Sequence, residues 1–210
     1  GLIIKDLLSI KKSFKPMYIV LMLLPTISGI SNTKYFLIII AMLTGLLLGT
    51  FLITTFSLDD GSGWRKNVLS LPLSIKTVVS SKFLLLLILC ISAFSFVFLI
   101  GLIASIFVSI TLDNLLITSI FSGLLCLFFG FLVIPISLKY GTESTRYFIV
   151  AFASIPGLLA IIFKQLHINY LYYLNLIFTS KERLLLTLFC LVVGIFTLSF
   201  NLSIKFYKKQ

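Results

Sequence analysis

Long apolar runs broken by short polar gaps fill nearly the whole chain. A membrane-crossing helix needs about 20 consecutive, mostly apolar residues. Six segments approach or exceed that length: 17–30, 35–57, 83–110, 115–138, 147–163 and 184–204. The first and fifth are short. Pro16 and Pro25 mark the first and Pro156-Gly157 interrupts the fifth, so a kinked or re-entrant course suits both. The pattern predicts an all-α polytopic membrane protein with six transmembrane helices, and residues 1–210 form a single transmembrane domain.

Ahead of the first run, Ile3, Leu7, Ile10 and Phe14 recur at helical spacing on one face. Lys5, Ser9 and Lys12 share another, with Asp6, Lys11 and Lys15 close by. Such a pattern over 1–15 predicts an amphipathic helix lying on an anionic leaflet. An ordinary basic flank before a first span accounts for the same residues.

The one substantial polar island is 58–82. Asp59 or Asp60 caps a helix, Gly61-Ser62-Gly63 supplies a turn, and a short helix over 64–69 stops before Leu71-Pro72. Ser74 then caps the helix that carries Lys76 and Lys82 into the third span. A short helix shown at the membrane face fits a partner's cleft, with Trp64 and Arg65 as anchors. A solvated loop with Trp64 at headgroup level fits equally. In a second polar gap, 139–146, Gly141 ends one helix and Thr142 or Ser144 begins another. There Glu143 and Arg146 stand three apart, the spacing of a surface ion pair.

Composition agrees with the pattern. The 210 residues are 60% hydrophobic and 11% charged, with mean hydropathy +1.19, against about 25% charged for a soluble domain. A net charge of +11 raises nucleic acid as a partner, but the basic residues sit in the gaps between apolar runs. Topology explains that placement, and no nucleic-acid contact is expected. If the N-terminus is inside, only Lys34, Lys164, Lys181 and Arg183 of the 17 basic residues face outward. The positive-inside rule therefore puts both termini in the cytoplasm and makes 164–183 an extracellular segment.

The chemistry is sparse. No charge lies deep in a span, which argues against a proton- or sodium-driven carrier. Cys90, Cys126 and Cys190 lie in apolar runs, and His167 is the only histidine. No metal cluster or Ser/His pair follows from these, so an enzyme is not expected. The chain has no G-x-x-x-x-G-K-[ST] loop and no cofactor of its own is expected. Gly45 and Gly49 give a small-x-x-x-small pair in the second span, suited to internal packing or to dimerisation.

Three stretches together resemble small ABC-2-type permeases. They are the opening Leu2-Ile3-Ile4-Lys5-Asp6-Leu7-Leu8, the loop Asp59-Asp60…Trp64…Leu71-Pro72-Leu73-Ser74…Lys82, and Pro135…Lys139-Tyr140-Gly141-Thr142-Glu143…Arg146. The resemblance implies a type V exporter-like permease half in a bacterial cell membrane. It pairs with a second permease subunit, identical or different, above cytoplasmic ABC ATPase subunits that hold ATP and magnesium. It also implies that 58–82 is a coupling loop, with Asp59, Asp60, Trp64, Arg65, Leu71 and Pro72 at or near the ATPase, and that 1–15 is an interfacial elbow helix. The branch with this pattern includes exporters of amphipathic peptides, phenol-soluble modulins and antimicrobial peptides among them, and of lipid-like compounds. The double aspartate with Gly-Ser-Gly before Trp64 departs from that branch, which carries a longer polar residue there. The alternative is the substrate-capture subunit of an energy-coupling-factor importer, for which the spans offer few polar groups to line a pocket.

Overall fold

The computed structural model describes residues 1–13, 33–64, 68, 74–106, 110–165 and 181–208, with side chains for all of these except 33–36 and 152–191. Among the described residues five helices follow in order: α1 (Leu2–Ser13), α2 (Thr33–Gly61), α3 (Ile75–Ser105), α4 (Leu112–Gln165) and α5 (Lys181–Tyr207). Among the described residues three helical stretches are long and apolar enough to cross a membrane: Leu37–Gly61, Ile75–Ser105 and Leu112–Ala151. A shorter apolar stretch, Val192–Tyr207, completes the set. The expected first span, 17–30, lies outside the described residues. The expected fourth and fifth spans both fall within α4, and the sixth falls in α5.

Helix α4 is the centre of the bundle and packs against α2, α3 and α5. It meets α2 closely because Gly45 and Gly49 remove side chains at the crossing. A Cβ on Gly45 would lie 2.7 Å from the Ser122 carbonyl oxygen, and one on Gly49 the same distance from the Phe129 ring. The small-residue pair is thus spent on internal packing, one of the two uses its spacing allowed. On the other side, α5 is seated by a cluster of phenylalanines. Phe83 of α3 meets Phe196 and Phe200 edge-on with centroids 5.5 and 5.4 Å apart, and Phe131 of α4 meets Phe196 at 5.8 Å. The Ser199 hydroxyl donates to the Phe131 carbonyl at 2.7 Å, tying α5 to α4 inside the apolar layer.

Most hydroxyls in the spans need no such partner. Thr50, Thr54, Thr55, Ser81 and Ser92 donate to the carbonyl three residues back, which satisfies them within one helix. The outward faces of α2, α3 and α4 carry exposed Ile38, Met42, Leu84, Ile91, Ile117 and Phe121. An apolar surface this extended suits lipid contact.

The helix ends differ from the sequence reading in two places. Helix α2 runs on to Gly61, so Asp59 and Asp60 lie in its last turn and do not cap a following helix. The turn comes next, with Gly63 at φ +67° and the Ser62 amide donating to the Leu58 carbonyl. At 139–146 the change of helix at Gly141 is as expected, but the gap narrows to that one residue. Helical backbone continues on both sides of Gly141, the one residue of α4 with non-helical angles (φ 82°, ψ 175°). A single residue suffices because glycine has no Cβ to oppose that conformation. Ser74 caps α3 as its sequence position predicts, at φ −72° and ψ 143°, its hydroxyl accepting from the Thr77 amide at 3.2 Å.

Candidate functional site

Asp59 and Asp60 stand at the C-terminal end of α2, where the exposed carbonyls already carry partial negative charge. Two further acids there are unfavourable unless something compensates them. The fold supplies a different partner for each.

Asp59 joins a buried ionic node built by three helices. Lys82, two turns into α3, donates to Asp59 Oδ2 at 2.7 Å and to Asp6 Oδ2 of α1 at 2.8 Å. Lys5 of α1 pairs with the other Asp59 oxygen and lies 3.2 Å from Asp6 Oδ1. Two lysines balance two aspartates. The node is desolvated: Asp6 is 1% exposed, Lys82 5% and Asp59 6%. Buried ions of this kind depend on their partners, because removing one leaves an uncompensated charge in a poor solvent for it. Aromatic rings close the node. The Lys5 ammonium lies 4.5 Å from the Trp64 ring centre and that of Lys82 4.9 Å from the Phe56 ring centre. A cavity of about 20 Å³ beside Asp59, Trp64 and Lys82 is large enough for one water.

Asp60 turns the other way. Its Oδ2 accepts from the Thr142 amide at 3.2 Å, directly after the Gly141 break. The helical stretch that starts there has amides without partners in their own helix, and a carboxylate from α2 answers one of them. The Thr145 hydroxyl donates to the Gly141 carbonyl and secures the same turn. Between the end of α2 and the break lies an open cleft of about 490 Å³, lined by Ser57, Asp60, Tyr140, Thr142, Glu143, Arg146 and their neighbours. The two polar islands of the sequence therefore meet at one end of the bundle.

The structure sorts the residues singled out from the sequence. Lys5, Asp6 and Asp59 come together with Lys82 in the buried node, so Asp59 does not present its carboxylate to the outside. Asp60 and Trp64 are half-buried at the rim. Arg65, Leu71 and Pro72 lie outside the described residues. Lys11 and Lys12 are exposed on α1. Glu143 and Arg146 are both exposed on the cleft, and among the described residues no ion pair joins them. The apolar face expected to lie on the leaflet is divided: Leu7 stays exposed while Ile10 packs on the bundle. Leu2, Lys5, Asp6 and Ile10 face the bundle, and Ile4, Leu7 and Leu8 are exposed beside Lys11. Pairing Asp6 with Lys82 sets that rotation, since a carboxylate facing lipid would be far costlier than an exposed leucine.

Lys82 was missing from the residues weighed as a site. Its sequence signals are its place at the end of the loop motif and a charge directly abutting the apolar run that begins at Phe83, mirrored by Asp6 beside Leu7-Leu8. Among the described residues no group of three or more His, Cys, Asp or Glu is placed to hold a metal ion.

The architecture, a lipid-suited helical bundle with its polar islands gathered at one end, agrees with a comparison against protein families. The family described as ABC-2 family transporter protein matches residues 1–208. The chain belongs to that family. It is thus a membrane chain of an ABC-2 transporter, a multi-pass component of a system that works with ATPase subunits. No curated protein and no solved structure matches it.

Proposed function

We propose that this ABC-2 chain is the permease subunit of an ABC exporter in a bacterial cell membrane. It forms half of a translocation path for amphipathic peptides or lipid-like compounds, cytolytic peptides of the phenol-soluble modulin type among them. Separate cytoplasmic ATPase subunits drive it, and a second permease subunit completes the path. The observation that carries this reading is the family match over 1–208 together with the turn after α2. That turn holds Trp64, the chain's only tryptophan, at the rim of a braced end of the bundle. A large aromatic residue fixed at a rim is the kind of anchor that interfaces use. The apolar outer faces and the ion-paired node at one end of the bundle support a path for an amphipathic cargo. The family match favours this reading over an energy-coupling-factor subunit.

In the proposed mechanism this chain carries out no ATP chemistry. Closure of the ATPase pair shifts the segment around Asp60, Trp64, Arg65, Leu71 and Pro72, and that shift opens a path between permease halves. The test is to express the tagged chain with its ATPase, recover the complex in detergent and identify the subunits. Co-purification of a P-loop ATPase with the wild-type chain, reduced at least about tenfold by Trp64→Ala, is the expected result for a hot-spot anchor. A chain recovered alone, with no ATPase, overturns it.

A further inference from the structure

The node lies behind the proposed coupling turn and touches its anchor. Lys5 reaches Asp59 and Asp6 while its ammonium lies over the Trp64 ring, and Lys82 ties both aspartates to α3. Lys5 is held on one side by two carboxylates and on the other by an indole face. A ring under a fixed cation has its orientation restricted, because the attraction falls away as the cation leaves the ring face. The Trp64 side chain thus takes its orientation from α1, 59 residues back in the sequence, and α1 takes its own from Lys82.

We infer that Lys5, Asp6 and Lys82 are positioning residues for Trp64, and that they join α1, the end of α2 and the start of α3 into one body that moves together. The inference rests on the permease reading above. It adds a distinct claim: α1 takes part in coupling through its ionic face and is more than a lipid anchor. The exposed Ile4, Leu7 and Leu8 remain free to face the membrane while the opposite side of the helix holds the tryptophan.

A variant that removes charge in pairs tests this without stranding a buried ion. In Lys5→Gln/Asp6→Asn, Lys82 and Asp59 keep each other. Since Trp64 is the only tryptophan, its fluorescence in the full chain in lipid nanodiscs reports the ring alone. Acrylamide quenching should rise about twofold or more in the double variant, and Lys5→Arg, which keeps both charge and ring contact, should quench like wild type. Equal quenching in wild type and double variant overturns the positioning role.

The second measurement is hydrogen exchange of the assembled transporter, without nucleotide and trapped with Mg-ATP and vanadate. In wild type, residues 2–13 and 57–64 should change protection together; in the double variant 57–64 should change alone. If 57–64 responds in wild type while 2–13 does not, the single-body inference fails and the permease reading stands. If neither segment responds in wild type, the permease reading itself fails, and the inference falls with it.

Discussion

Lys82 shows how much one side chain can hold. It is 5% exposed, bridges Asp6 and Asp59, and lies against Phe56. Replacing it with methionine fills the space but leaves Asp6 and Asp59 to share Lys5, one buried charge short of balance, which should cost about 3–5 kcal/mol. Removing the charges in pairs, as Asp59→Asn/Lys82→Met, leaves Lys5 with Asp6 and should cost clearly less. Thermal unfolding of both variants in one detergent gives the comparison, and equal losses would contradict a buried ionic node. Gly141 carries a different kind of constraint. Its added Cβ would meet nothing within 4 Å, so Gly141→Ala tests backbone conformation alone, and should cost about 1–3 kcal/mol at φ 82°, ψ 175°, a region nearly confined to glycine. A neutral result in the same melting experiment would mean that the break does not hold this conformation. The glycine's role as a helix terminator was legible in the sequence. The node was not, because Lys5, Asp6, Asp59 and Lys82 are far apart in the chain and each alone resembles a solvated flank charge.

Element by element, the apolar runs predicted the long helices well, since length and hydropathy are local properties that a span cannot avoid. Boundaries were harder to read. Helix α2 extends through Asp59 and Asp60 because Lys5, Lys82 and the Thr142 amide compensate acids that the helix end would otherwise disfavour. Apolar spacing leaves Leu7 on the exposed face of α1 but does not give the inward turn of Ile10, which accompanies the Asp6–Lys82 pair. Spacing could not choose between packing and dimerisation for Gly45. Its position beside the Ser122 carbonyl predicts that Gly45→Ala destabilises the single chain by about 1–3 kcal/mol. Thermal melting with light scattering separates the cases, because a dimerisation glycine would change oligomeric state and leave chain stability intact.

Among the described residues the outward surface is apolar, and the ion-paired Lys5, Asp6, Asp59 and Lys82 of α1, α2 and α3 gather at one end. The positive-inside expectation is that this end faces the cytoplasm, where the proposed ATPase contact would lie. Composition made the membrane class legible, and the ordered motifs made the ABC-2 family legible, as the match over 1–208 shows. Substrate was not legible, because the spans carry no distinctive charge or metal-binding group, and an apolar path leaves little trace in sequence. The most direct test of the account is ATP-driven uptake of a fluorescent amphipathic helical peptide into inside-out vesicles holding the chain and its ATPase. Uptake that requires ATP, and that Trp64→Ala abolishes while the chain itself stays inserted in the vesicles, is the predicted result. Uptake that Trp64→Ala leaves intact, or that proceeds equally without ATP, would contradict it.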